Sequence, residues 1–305
     1  VEHCDSISHV LEVFYAERSS YTRIRQKSVD LRKIVTTALE RNVKKYDLQL
    51  KQLKDSEKKE KYKLYGEMIQ AYGYGLPEGA KELLAENYYD NNNIVKVPLD
   101  PTLSAMDNSK KYFDKYGKLK RTAEALNELI LQTKAQIDHL ESIQNALDIA
   151  TSADDLVQIK QELAEYGFIK KNRSAKKEKT KSRPFHYRST DGYDIYVGKN
   201  NYQNDELTFK FATGNDWWFH AKGMPGSHVI VKANNEELPD RVFEEAGKLA
   251  GYYSKGRDSD KLEIDYLQKK NVKKPNGSAP GFVVYYTNYS LTIHPDIRDL
   301  TLVEE

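Results

Sequence analysis

Asp216-Trp217-Trp218-Phe219-His220-Ala221-Lys222-Gly223-Met224-Pro225-Gly226-Ser227-His228-Val229 is the stretch on which the fold turns. Both tryptophans of the chain fall within it, beside two histidines, a lysine and a Pro-Gly-Ser turn. The aromatic run predicts a strand, because aromatic side chains suit a pleated, half-buried surface. Alternation sends Trp217 and Phe219 to one face and Trp218 and His220 to the other. The first pair reads as core. For Trp218, core and binding surface are both open. Gly223, Gly226 and Ser227 in the turn permit close backbone approach and present amide hydrogens to an anion. Lys222 adds a phosphate-seeking cation. The predicted binding residues of this stretch are Trp218, His220, Lys222, Gly226, Ser227 and His228.

The pattern around it is that of a compact α+β domain over residues 184–305. Phe185, Tyr187, Asp191-Gly192, Tyr193, Ile195 and Val197 predict a β-hairpin. Asn201 to Phe211 holds a short helix. Trp217 to Ala221 and His228 to Lys232 are strands, and Pro239 to Tyr253 is an amphipathic helix with proline at its start. Lys261 to Tyr266, Gly281 to Tyr286 and Ser290 to His294 are expected to complete the sheet. A second basic cluster runs through Lys255, Arg257, Lys261, Lys269, Lys270, Lys273 and Lys274, interleaved with Tyr252, Tyr253 and Tyr266. Lysines among tyrosines suit either a solvated face or a nucleic-acid face; Arg257, Lys273 and Lys274 join the candidate site.

Upstream the period changes. Tyr112, Tyr116, Leu119, Ala123, Leu126, Ile130, Thr133, Ile137, Leu140, Gln144 and Leu147 alternate in steps of four and three, a coiled-coil stripe. Ser104 caps this helix, with Asp107 at the capping-box position. Leu31, Val35, Leu39, Val43, Tyr46, Leu50 and Leu53 form a similar stripe, and no proline interrupts Val1 to Leu76. The two predict a long antiparallel coiled-coil hairpin, with an intermolecular coiled coil as the alternative. The expected order is a first helix over 1–70, a small tip module over 71–104, and a second helix with a short return helix over 105–168. Ser152 caps the return helix. A basic linker over 169–183 carries Lys170, Lys171, Arg173, Lys176, Lys177, Lys179, Lys181 and Arg183 against the single acid Glu178. It is either a solvated tether or a polyanion contact.

Several function classes find no support. The 305 residues carry 48 Lys and Arg against 46 Asp and Glu, so net charge does not announce a nucleic acid. No apolar run reaches the length of a membrane span. Cys4 is the only cysteine, so no disulfide forms within the chain. His220 and His228 lack the local spacing and partner ligands of a zinc site. Ser227 lacks a nucleophile elbow. Neither a P-loop nor a dinucleotide fingerprint occurs. No enzyme, metal or cofactor is expected. Val1 in place of Met reads as the start of a fragment.

Asp216 to Lys222, Pro225 to Val229, Glu245-Ala246, Ala250 to Ser254, Val272-Lys273-Lys274-Pro275 and Ala279 to Val283 resemble the NFACT-R domain. Asp100 to Ser104, Asn108 and Lys111 to Tyr116 resemble the middle segment of the same family, the NFACT family. Its bacterial RqcH group is also labelled fibronectin-binding protein A-like. The resemblance implies binding to obstructed large ribosomal subunits carrying peptidyl-tRNA and recruitment of alanyl-tRNA for C-terminal tailing. Bond formation would belong to the ribosome. It implies tRNA and rRNA as partners and a cytoplasmic, ribosome-associated location. The family's N-terminal tRNA-decoding and helix-hairpin-helix domains are not recognised in the sequence, so this chain is not expected to tail by itself. The alternative it implies is a surface adhesin for fibronectin or fibrinogen, exported non-classically.

Overall fold

The computed structural model describes residues 6–7, 22–170 and 181–304. Residues 171–180, most of the basic run, lie outside the described residues. The chain divides into two units, Val1–Glu40 with Ile137–Glu305, and Arg41–Gln136. The architecture is α+β.

Helices α1 (Val29–Ser56), α2 (Lys59–Tyr72) and α3 (Ala105–Ile149) supply the helical pairing. In the unit Arg41–Gln136, α2 lies antiparallel to the first turns of α3. Ser109 Oγ donates to the Gly66 carbonyl at 3.0 Å, and the Tyr62 and Tyr112 rings stack with centroids 6.0 Å apart. A Cβ at Gly66 would come within 2.8 Å of the Phe113 ring, so only glycine allows this approach. Ser104 caps α3 as its sequence predicts, accepting from the Asp107 amide at 3.1 Å. Strands β1 (Glu82–Asn87) and β2 (Asn93–Pro98) form an antiparallel hairpin between α2 and α3. Leu83, Ala85 and Val97 on its inner face pack on Met68 and Ile69.

Two expectations for the first helices change. Ser56 Oγ donates to the Leu53 carbonyl at 2.5 Å. The amides of Glu57 and Glu60 reach only three residues back. Such side-chain competition interrupts a helix, so the predicted single helix becomes α1 and α2. The stripe of α1 also differs. Val43 is 43% exposed and Leu50 40%, whereas Gln49 is 6% exposed. The inward positions are Val35, Leu39, Asn42, Tyr46, Gln49, Leu53 and Ser56, in unbroken steps of four and three. Polar residues thus recur every seventh position. This arrangement specifies register at a cost in stability.

In the other unit, Val35 joins Leu140, Ile143 and Leu147 from the end of α3 and Leu156, Ile159 and Leu163 from α4 (Ala153–Glu165) in one core. Arg32 donates to the Leu147 carbonyl at 2.5 Å and pairs with Asp148. Ser152 and Asp155 form the capping box of α4.

The same unit contains a seven-stranded antiparallel sheet. Its strands are β3 (Phe185–Arg188), β4 (Asp194–Val197), β5 (Trp217–Ala221), β6 (Val229–Val231), β7 (Leu262–Gln268), β8 (Tyr289–Ile293) and β9 (Thr301–Glu304), in the spatial order β8-β7-β5-β6-β4-β3-β9. Helix α6 (Asp240–Tyr252) covers one face, where Phe219, Val229, Val231, Ile195, Ala246 and Leu249 are all completely buried. Burying one such side chain contributes about 1.5–3 kcal/mol. The other face is covered in part by α5 (Asn201–Glu206) and the π-type turn Leu207–Phe211 that follows it. Gly281 to Tyr286 is not a strand. A single bridge joins Lys273 to Val284 there, because the positive φ of Gly281 turns the chain. Strand β9 replaces it in the sheet, from a short polar-flanked segment that carries little alternation.

Candidate nucleic-acid interface

Strand β5 is covered on both faces. Trp217 and Phe219 meet α6 and β7: the Trp217 and Phe243 rings lie 4.8 Å apart and Phe219 stacks with Tyr266 at 5.5 Å. Trp218 and His220 point the other way; that side is closed over Trp218 and leaves His220 half-buried. Trp218 is 0% exposed, held against His228 at 5.1 Å, Tyr285 at 5.4 Å and His220 at 5.6 Å. Its Nε1 is buried with no hydrogen-bond partner among the described residues.

The turn after β5 is built inward. Ser227 Oγ donates to the Gly198 carbonyl at 2.5 Å and its amide to the Tyr253 carbonyl at 3.0 Å. His228 shares a 2.7 Å hydrogen bond between Nδ1 and Thr208 Oγ1, and its amide donates to Asn204 Oδ1 at 3.0 Å. Ser227 and His228 are each 1% exposed. Gly226 bridges to Ser254, and a Cβ there would lie 3.1 Å from the Ser254 Cβ. The glycine serves close packing between two turns.

Trp218, Ser227 and His228 are therefore corrected from contact residues to supports, since a partner cannot reach them without opening the core. The histidines bring no charge. Burial lowers His220 to about 4 against opposing backbone hydrogen bonds at Gly226 and Ala221. Burial, then the neighbouring His220, holds His228 well below the usual imidazole range. Both are neutral at pH 7.

The turn that carries Lys222 and Gly226 is joined to the turn that leads to Arg257, with Gly226 bridged to Ser254. The Lys255 amide donates to the Pro225 carbonyl at 2.9 Å, joining the two turns. The cations there are largely matched: Lys222 pairs with Glu263 at 3.1 Å and Lys255 with Glu141 at 3.0 Å. Arg257 is half-buried and has no ion pair among the described residues. Lys273 and Lys274 lie elsewhere, beside α5. Lys274 is held by Asp205, whose other oxygen accepts from the Gly281 amide at 3.0 Å. Lys273 is exposed and has no ion pair among the described residues.

Sequence pattern does not reveal a group of aromatic residues near Lys273. Phe282 is 51% exposed and Tyr286 85%; Phe211, 42% exposed, packs instead on Tyr196 with its ring under Lys232. Exposed Lys210 and Lys270 lie with them, again without ion pairs among the described residues. Thr208-Phe209-Lys210-Phe211 alternates aromatic and basic residues like an ordinary amphipathic strand. Only the π-type turn shows that Thr208 is buried while Lys210 and Phe211 reach the surface. Among the described residues no group of three or more His, Cys, Asp or Glu could hold a metal ion, and no helix is long and apolar enough to cross a membrane.

Known families match the chain in two consecutive stretches. Residues 1–182 match the NFACT N-terminal and middle domains, and residues 183–285 match the NFACT protein RNA binding domain. The chain is 38% identical over 294 residues to the Rqc2 homolog RqcH of Streptococcus suis, covering 96% of this chain and 52% of that protein. It is 35% identical over 296 residues to the Rqc2 homolog RqcH of Bacillus subtilis, covering 96% and 51%. The chain thus spans about half the length of these relatives. A solved structure, the C-terminal part of the fibronectin/fibrinogen-binding protein from Streptococcus suis, superposes with a TM-score of 0.72 at 35% identity, covering 91% of this chain and 97% of that one. With residues 1–182 and 183–285 both matched to its domains, the chain belongs to the NFACT family.

Proposed function

We propose that this chain is the RNA- and ribosome-binding part of a ribosome quality-control factor. In this reading it engages obstructed large subunits that carry peptidyl-tRNA, through tRNA and rRNA, and serves a protein that recruits alanyl-tRNA for C-terminal tailing. It forms no covalent bond itself. Its place is the cytoplasm, on ribosomes. The observation that carries the reading is the match of residues 183–285 to an RNA binding domain, on a unit whose surface holds Lys210, Lys270 and Lys273 without ion pairs among the described residues. Uncompensated lysines gain affinity for phosphates by releasing condensed counterions. The names of the relatives, Rqc2 homolog RqcH, point the same way.

The test is co-sedimentation of the 305-residue chain with purified large subunits, with and without tRNA, across a salt series. Binding that weakens steeply with salt is expected. Binding that is absent, or indifferent to salt, refutes the reading.

A second reading, a surface adhesin, is favoured only by the name of the structural relative, a fibronectin/fibrinogen-binding protein. Surface-plasmon titration with purified fibronectin and fibrinogen decides it. Absence of saturable binding at micromolar protein removes it.

A further inference from the structure

We propose that the surface between the π-type turn Leu207–Phe211 and the segment from Lys269 to Tyr286 takes unpaired nucleotides of an RNA strand, with lysines on the phosphates and aromatic rings on the bases. The proposal rests on the RNA-binding reading above and gives it a place and a substrate form.

The backbone holds these groups together. The amides of Lys269 and Lys270 donate to the carbonyls of Asp216 at 2.8 Å and Gly214 at 3.1 Å, which pins the lysine run beside the exit of the π-type turn. Lys269 Nζ sits 5.9 Å from the centroid of Phe209. Lys273 and Val284 exchange two backbone hydrogen bonds of 2.9 Å, placing Lys273 beside the stretch from Phe282 to Tyr286. Beneath it, Trp218, Leu267, Ile230 and Val272 form a closed apolar layer, so the platform is stiff.

Charge separates this surface from the edge near Gly226. At that edge Lys222 and Lys255 each face a carboxylate, and on this surface Lys274 alone does among the described residues, held by Asp205. Lys210, Lys270 and Lys273 face none among the described residues. The nearby acids are mostly turned inward: Asp205 holds Lys274 and Gly281, Asp216 holds Lys232, and Asp265 accepts from Tyr285, Asn288 and Ser290. Glu206 is the exposed exception.

The exposed rings decide the form of the RNA. Phe282 and Tyr286 are too exposed to be core. An aromatic ring stacks only on a base that has left its helix, and a duplex offers no such face. Free lysines beside exposed rings are the combination that single strands use.

The test is fluorescence anisotropy with the full chain, a labelled unstructured RNA and a duplex of equal length. The single strand should bind at least about tenfold tighter than the duplex, since each stacked base is worth about that factor. Phe282→Ala with Tyr286→Ala should weaken the single strand about ten- to a hundredfold and leave duplex affinity unchanged. Lys270→Gln with Lys273→Gln should flatten the salt dependence, by about 0.7 in log–log slope for each phosphate that is no longer neutralised. Superimposable thermal melts establish that the variants fold. If the unaltered chain binds RNA and none of the four substitutions matters, the surface is wrong while the RNA reading stands. If the aromatic pair weakens both RNA forms equally, base stacking is refuted. If the unaltered chain binds no RNA, both readings fall.

Discussion

Lys232 Nζ lies 2.5 Å from Asp216 Oδ2, and this ion pair fastens the start of β5 to the end of β6. Asp216 is 2% exposed. Its Oδ2 also accepts from the Thr213 amide at 2.7 Å and Oδ1 from the Ala233 amide at 3.1 Å. The aspartate that opens the aromatic strand is thus the knot between the exit of the π-type turn, β5 and β6.

Replacing Asp216 with Asn should therefore cost about 1.5–3 kcal/mol, the range for hydrogen bonds to a charged group. Burial raises the Asp216 pKa, but the bonds from Lys232, Thr213 and Ala233 outweigh it and the net shift is downward. A carboxylate depressed in the folded state contributes stability above its unfolded value near 3.8, and loses it as pH falls through the folded value. Urea unfolding at pH 7 and across pH 5 to 2 measures both. The gap between the parent chain and Asp216→Asn should narrow toward the acid end; a gap that does not change with pH contradicts the charge-assisted role.

His220 gives a second pH dependence, in a different window. Its folded pKa of about 4 lies below the ordinary 6.5. Between these values the unfolded chain binds a proton that the folded chain refuses. Stability should fall as pH drops from about 6.5 to about 4, by up to roughly 1.4 kcal/mol per unit, and this contribution should level off below. His228 adds to the slope in the same direction. His220→Gln should reduce the slope in this window. An imidazole NMR titration of His220 with a midpoint near 6.5 would contradict the desolvation that lowers it.

Much of the C-terminal sheet is legible in sequence because its strands alternate. Phe185, Tyr187, Ile195 and Val197 point inward with period two, and Asp191-Gly192 marks the turn between them. Ser104 and Ser152 announce their helices by chemistry that depends only on neighbours. Alternation does not tell whether a second face is covered. Trp218 and His228 are buried by α5, the π-type turn and the segment around Tyr285, which are remote in sequence. The side of the sheet on which these two residues lie is therefore legible, but their depth is not. The α1 stripe misleads for a related reason. Val43 and Leu50 are apolar and adjacent to the true positions, and composition favours them over Asn42 and Gln49. Only the partner helix identifies the inward side.

The polar positions of that stripe lead to a stability prediction. Gln49 Oε1 is buried without a hydrogen-bond partner among the described residues. An unmet buried polar atom costs about 1–3 kcal/mol. Gln49→Leu removes the atom and fills the stripe, so it should raise the stability of the chain by about 1 kcal/mol or more. A polar residue at such a position also fixes register and oligomer state. The same substitution should broaden the species seen by sedimentation velocity at high protein concentration. A destabilised, purely monomeric variant would show that Gln49 is well satisfied where it stands.

The edge near Gly226 can be tested without touching its packing. Lys222 is exposed and matched by Glu263, which is itself 60% exposed as a side chain. A surface pair of this kind contributes only about 0–1 kcal/mol, so Glu263→Gln should leave the fold intact. If Lys222 meets a phosphate, freeing it should tighten RNA binding and steepen the log–log salt slope by about 0.7 for a single strand. Affinity and slope identical to the parent chain would place Lys222 outside the interface. The contrast with Lys273 is then decisive: Lys273 has no carboxylate among the described residues to release it from, so its own removal, and not that of a neighbour, should flatten the slope. Measuring Glu263→Gln and Lys273→Gln on the same RNA separates an edge that binds from one whose charges serve each other.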